Sequence, residues 1–147
     1  MPTACRPHRN PTRIPSGGIS PLSRGFLPSL RAQRAAQALA TLVKLFAASP
    51  YLAEIVIADP ESWEQVRLGQ GRPEKREALA AALRADVEAV TDPDDVMRAL
   101  RRFKRRQTLR IAYGDIIGGQ RLETVVAQIS HVADAIVDAA VWSAVAR

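Results

Sequence analysis

The stretch QRLETVVAQISHVADAIVDAAVWSAV, residues 120–145, decides the fold. Within it Leu122, Val125, Val126, Ile129, Val132, Ala133, Ile136, Val137, Ala140 and Val141 recur at steps of three and four. A helix gathers such positions on one side, whereas a strand divides them between its two faces. The pattern predicts a long amphipathic helix whose stripe needs apolar partners. Leu39, Leu42, Val43 and Phe46 supply one, and Leu79, Leu83, Val87 and Val90 another. The expectation is an all-α fold, a multi-helix bundle with a modest core.

Proline marks where the helices begin. In Ser49-Pro50, Asp59-Pro60 and Asp92-Pro93 a side-chain oxygen can accept from an orphan backbone N–H, and proline at the first helical position has no N–H to lose. Asp94 and Asp95 add carboxylates at the positive end of the helix dipole. Pro73-Glu74 is read as a further start, after the loop Gly69-Gln70-Gly71. The reading gives six helices, over residues 29–48, 50–58, 60–68, 73–90, 93–117 and 120–145. The β-branched cluster Ile55-Val56-Ile57 falls between two capped prolines and is taken as helix.

Residues 1–28 read differently. They hold six of the ten prolines, and they belong to a segment with seven basic residues before the first acid, Glu54. From residue 54 onward fourteen basic residues face fifteen acidic ones, so the formal charge of +6 is an N-terminal property. Proline at that density prevents a helix, including the amphipathic helix of a transit peptide. Residues 1–28 are expected to be a disordered basic tail, with the helical domain over 29–147.

No uninterrupted apolar run approaches the roughly 20 residues of a membrane span, and the single Cys5 cannot close an internal disulfide. His8 and His131, with Cys5, offer no metal-ligand spacing. Ser130, His131 and Asp134 share a helix surface but lack the strained turn and oxyanion hole of a hydrolase. Gly118-Gly119 reads as a helix stop, since no strand precedes it and no lysine–hydroxyl pair follows. Asp92 and Asp94 are accounted for by capping.

The run Leu100-Arg101-Arg102-Phe103-Lys104-Arg105-Arg106-Gln107-Thr108-Leu109-Arg110-Ile111 has six cations within ten positions. On a helix Leu100, Phe103, Gln107 and Ile111 fall within roughly 80° of one another. Arg101, Arg102, Lys104, Arg105 and Arg106 cover most of the remaining circumference, a solvated face or a docking surface. Arg110 projects into the apolar arc and is expected to be a buried structural arginine needing a carboxylate or carbonyl partner. Without interleaved aromatics, a recognition motif or a net-basic domain, nucleic acid is not the expected partner.

Taken in order, Ser49-Pro50-Tyr51-Leu52-Ala53-Glu54, Asp59-Pro60-Glu61, Asp92-Pro93-Asp94-Asp95, the basic run continuing into Leu109-Arg110-Ile111-Ala112-Tyr113, Asp115-Ile116, and Ser130-His131-Val132-Ala133-Asp134-Ala135 resemble the glutamine synthetase adenylyltransferase/adenylyl-removing enzymes, over roughly residues 30–146. The resemblance implies a cytoplasmic regulator of nitrogen assimilation. Such an enzyme transfers AMP to a tyrosine of glutamine synthetase and removes it by phosphorolysis, using Mg²⁺ with ATP or ADP. It also implies glutamine synthetase and a nitrogen-regulatory signal protein as partners.

The family's catalytic signature is a glycine-rich turn followed by an Asp-x-Asp pair on a strand, and it does not occur in this sequence. No catalytic, cofactor-binding or metal-binding residue is therefore carried over. The chain is expected to be a helical leader that braces an adjacent nucleotidyltransferase domain, its basic tail pointing to the N-terminal, adenylyl-removing half. The rival reading is a free-standing helical module that binds an acidic protein or nucleic acid through its basic helix.

Overall fold

The computed structural model describes residues 29–145. The expected tail over residues 1–28, with Cys5 and His8, lies outside the described residues. Those described form six α-helices and no strand: α1 (Leu30–Ala48), α2 (Pro50–Ala58), α3 (Pro60–Gly69), α4 (Arg76–Glu88), α5 (Pro93–Ile116) and α6 (Leu122–Val145). The all-α expectation holds, and Ile55-Val56-Ile57 is helical within α2.

Punctuation by proline is realised through caps. Asp59 Oδ1 accepts from the Ser62 N–H at 3.0 Å, and its Oδ2 from the Ser62 hydroxyl at 2.6 Å. Asp92 Oδ1 accepts from the Asp94 N–H at 2.7 Å. Ser49 departs from expectation: its side chain makes no cap bond. It ends α1 and starts α2 with its backbone, the N–H donating to the Leu45 carbonyl and the carbonyl accepting from the Leu52 N–H.

Two buried clusters share α5 as their common wall. One joins Leu79, Leu83 and Val87 of α4 and Val96, Leu100, Phe103 and Ile111 of α5 to Val125, Val132, Ala135 and Ala139 of α6. The other joins Leu45 of α1, Leu52, Ile55 and Val56 of α2, and Trp63 and Val66 of α3 to Leu109 and Tyr113 of α5. Trp63 and Tyr113 meet with ring centroids 6.0 Å apart, tilted by 50°, a favourable offset for two aromatic rings. The sequence reading gave α5 one apolar arc. The structure gives its C-terminal half two buried faces, because α1–α3 cover the side carrying Leu109 and Tyr113.

Three further expectations are corrected. Helix α4 starts at Arg76, not Pro73. The apolar stripe of α1 packs only in part: Leu39, Val43 and Phe46 are exposed, Leu42 rests half-buried against the second cluster, and Thr41 and Leu45 are buried. The stripe of α6 divides in two, with Val125 and Val132 inside and Leu122, Val126, Ile129, Val137 and Val141 outside. That outward row adjoins a groove of about 550 Å³ between α5 and α6, lined by Thr108, Ala112, Ile129, Ala133 and Val137 among others.

Helix α6 is also long and apolar enough, by length and composition, to cross a membrane. Two of its polar side chains are, however, engaged within the bundle. Gln128 is bonded to the loop before α4, and Asp134 pairs with Arg76 of α4 at 3.3 Å. A position in lipid would strip both of these partners.

Candidate functional site

The cations singled out in the sequence separate into two environments. Arg110 is 6% exposed. Its Nη1 donates to the Arg72 carbonyl at 2.8 Å, its Nη2 to Gln128 Oε1 at 2.8 Å, and its Nε to Gln107 Oε1. Glu74 Oε1 lies 3.5 Å from Nε. Burial pulls the guanidinium's pKa downward, and Glu74 opposes that shift. A planar fork with several donors is the group that can serve acceptors from α5, α6 and a loop together.

The same hub explains where α4 begins. Gln128 Oε1 accepts from the Glu74 N–H and its Nε2 donates to the Glu74 carbonyl, each at 2.9 Å. With the Arg72 carbonyl taken by Arg110, the backbone of 72–74 is tied to side chains of α5 and α6 instead of to a helical turn. The loop also lies directly on α5. Gly71 has φ +61°, and a Cβ built there would stand 2.5 Å from the Gly114 nitrogen. The Gly71 carbonyl accepts from Gln120 Nε2 at 2.8 Å.

Sequence reasoning missed Gln107 as a partner, together with Gln120, Gln128, Gly71 and Gly114. Polar glutamines on otherwise buried helix faces were the available signal. Gln107 lies in the predicted apolar arc of α5, and Gln128 lies between the buried Val125 and Val132 of α6.

On the opposite side of α5, Arg101, Arg102, Lys104 and Arg105 are exposed and Arg106 is half-buried, its guanidinium lying over the Phe103 ring at 5.7 Å from the centroid. Arg98, Arg101, Arg102, Arg105 and Arg106 form one wall of a trough of about 520 Å³. Asp59, Glu61, Ser62 and Gln65, at the start of α3, form the other. Lys104 belongs elsewhere, on the rim of the α5–α6 groove. Of the five outward cations, Arg101, Arg102, Arg105 and Arg106 line the trough, and Lys104 lines the α5–α6 groove.

Arg98 is paired with Asp95, one turn earlier. Arg101, Arg102, Arg105 and Arg106 form no ion pair among the described residues. The Asp59 carboxyl is held below its ordinary range chiefly by its two bonds from Ser62, and further by the nearby charges of Arg102 and Arg106.

The remaining candidates are structural. Gly118 and Gly119 close α5: their N–H groups donate to the Tyr113 and Asp115 carbonyls, and Gly119 has φ +60°. The Ser130 hydroxyl donates to the Val126 carbonyl and Asp134 pairs with Arg76, so neither is linked to His131. His131 is half-buried, and its Nδ1 is shielded from solvent without a hydrogen-bond partner. No group of three or more His, Cys, Asp or Glu among the described residues is placed to hold a metal.

Residues 39–147 match the family of glutamate-ammonia ligase adenylyltransferases. A bifunctional glutamine synthetase adenylyltransferase/adenylyl-removing enzyme from Corynebacterium efficiens is 31% identical over 103 residues, covering 67% of this chain and 10% of the relative. Its counterpart from Corynebacterium glutamicum is 28% identical over the same coverage. The chain therefore spans about a tenth of the length of the curated relatives it matches. No solved structure matches it. The family match, over most of its length, places this chain in the glutamate-ammonia ligase adenylyltransferase family.

Proposed function

We propose that this bundle is a non-catalytic scaffold of a glutamine synthetase adenylyltransferase, seated in the cytoplasm against the nucleotidyltransferase domain that carries out AMP transfer or removal. The observation that carries this reading is the outward apolar row of α6, Leu122, Val126, Ile129, Val137 and Val141, which continues into the α5–α6 groove. A contiguous apolar surface of this kind is a contact site awaiting a partner. Chemistry is assigned to the neighbour because adenylyl transfer needs carboxylates for Mg²⁺ and a turn that cradles phosphate. Among the described carboxylates, Asp59 and Asp92 cap helices, and Glu64, Glu74, Glu88, Asp95, Glu123 and Asp134 pair with arginines.

On this reading Mg²⁺ and ATP or ADP belong to the full enzyme, and glutamine synthetase is its target. A nitrogen-regulatory signal protein is the expected regulator, and the N-terminal, adenylyl-removing half is the proposed location of the segment.

The test joins two measurements. The purified chain with Mg²⁺, ATP and glutamine synthetase should transfer no AMP, and turnover would overturn the scaffold assignment. Mixed with the separately expressed catalytic part of the Corynebacterium efficiens relative, the chain should form a complex by gel filtration. Val126→Asp/Val137→Asp should abolish that complex; a complex that survives the pair of substitutions would place the contact elsewhere.

A further inference from the structure

The trough between α5 and the start of α3 has features a merely solvated basic face lacks. It is concave, and its cationic wall is almost entirely arginine. Arg98, Arg101 and Arg105 are spaced by three and four residues, a row of roughly 10 Å along the helix. Carboxylates on one face of another helix recur at the same steps. Guanidinium forks grip carboxylates bidentately, and arginine is enriched where protein surfaces meet. The exposed Ala58 and the arginine stems add apolar contact beside the charges.

We propose that this trough docks an acidic amphipathic helix of a protein partner, its carboxylates engaging Arg101 and Arg105 and its apolar edge resting on Ala58 and the arginine stems. A phosphate polyanion suits the trough less well. Asp59 already occupies the N-terminus of α3, so the first-turn N–H of Ser62 is not free. Asp59 and Glu61 stand on the facing wall and would repel a dense anion, whereas a helix can turn a neutral or basic side chain toward them. From residue 54 onward the chain is nearly neutral, so it offers little long-range attraction to a nucleic acid.

The probe is a fluorescent, end-capped helical peptide of about 18 residues built from Glu, Ala and Leu, with Glu at steps of three and four. Anisotropy should report binding to the whole chain that weakens with added salt. Arg101→Gln/Arg105→Gln should weaken it about ten-fold. Arg84→Gln/Arg121→Gln, which removes equal charge elsewhere, should leave it unchanged. Glu61→Gln should tighten it about two-fold by removing repulsion from the facing wall. Circular dichroism checks that each variant keeps its helices.

Absence of binding would overturn the proposal, as would equal losses in the two double variants. Displacement of the peptide by tripolyphosphate or a single-stranded oligonucleotide at lower concentration would assign the trough to phosphate instead. The outcome is independent of the scaffold reading, because no residue of the outward row of α6 takes part.

Discussion

Arg110 and Arg105 sit five positions apart on one helix, yet the bundle treats them as different kinds of residue. The first is buried and satisfied by Arg72, Gln107 and Gln128, with Glu74 beside it. The second is exposed and without an ion pair among the described residues. Removing a buried charged donor leaves its acceptors unsatisfied, at about 1–3 kcal/mol for each group that stays dry. Arg110→Ala should therefore destabilise the fold by about 3 kcal/mol, and Arg105→Ala by less than about 0.5 kcal/mol. Thermal melts of the two variants decide this, and equal midpoints would contradict the hub.

Asp59 carries the pH dependence at the same scale. Its carboxyl is held down mainly by the bonds from Ser62, so its folded pKa lies below its unfolded one. A depressed folded pKa contributes stability that is present above the unfolded pKa and lost as pH falls through the folded value. Stability should thus decline from about pH 4 downward. Asp59→Asn should be less stable than the parent at neutral pH and show a flatter acid limb in urea titrations. Parallel acid limbs would show that Asp59 is not coupled to folding.

Among the elements, the loop from Gly69 to Lys75 decides how α4 and α6 sit on α5. Its tight point is Gly71, where a positive φ coincides with backbone contact to Gly114. Gly71→Ala combines the two penalties and should destabilise by at least about 1–2 kcal/mol. At Gly69 nothing lies within 4 Å of an added Cβ and φ is not positive, so Gly69→Ala should be close to neutral. Equal melting temperatures for the two would refute the close approach.

This loop is also where the sequence became illegible. Helices α2, α3 and α5 could be located because their start signals are local, with Pro50, Pro60 and Pro93 one residue after a cap. The start of α4 depends on Gln128, 54 residues beyond Glu74. No local pattern at Pro73 announces that its neighbour's backbone is claimed by a distant amide. The apolar period of α6 announced a helix correctly, but periodicity cannot separate a buried row from an exposed row that runs beside it.

For the whole molecule, the sharing of α5 couples the two clusters. Trp63 lies in the cluster around α1–α3, whereas Trp142 packs against the other and carries the Arg84 guanidinium 4.9 Å from its ring centroid. Each tryptophan therefore reports one cluster. In the single-tryptophan variants Trp63→Phe and Trp142→Phe, fluorescence should give the same denaturation midpoint as helical circular dichroism measured on the same variant. Separate midpoints would mean that the two clusters unfold independently.

The basic run was visible in the sequence as a surface, but the trough was not. Its facing wall comes from Asp59 and Glu61, some forty residues earlier in the chain, and only packing brings them opposite the arginines.

Helix α1 has 19 residues, of which only Thr41 and Leu45 are buried and Leu42 packs partly against the second cluster. It is fastened to the body along a narrow seam near its C-terminal end, like a strap riveted at one place. Peeling it back would open the pocket of Leu45 while leaving the α4–α5–α6 core and its arginine hub closed.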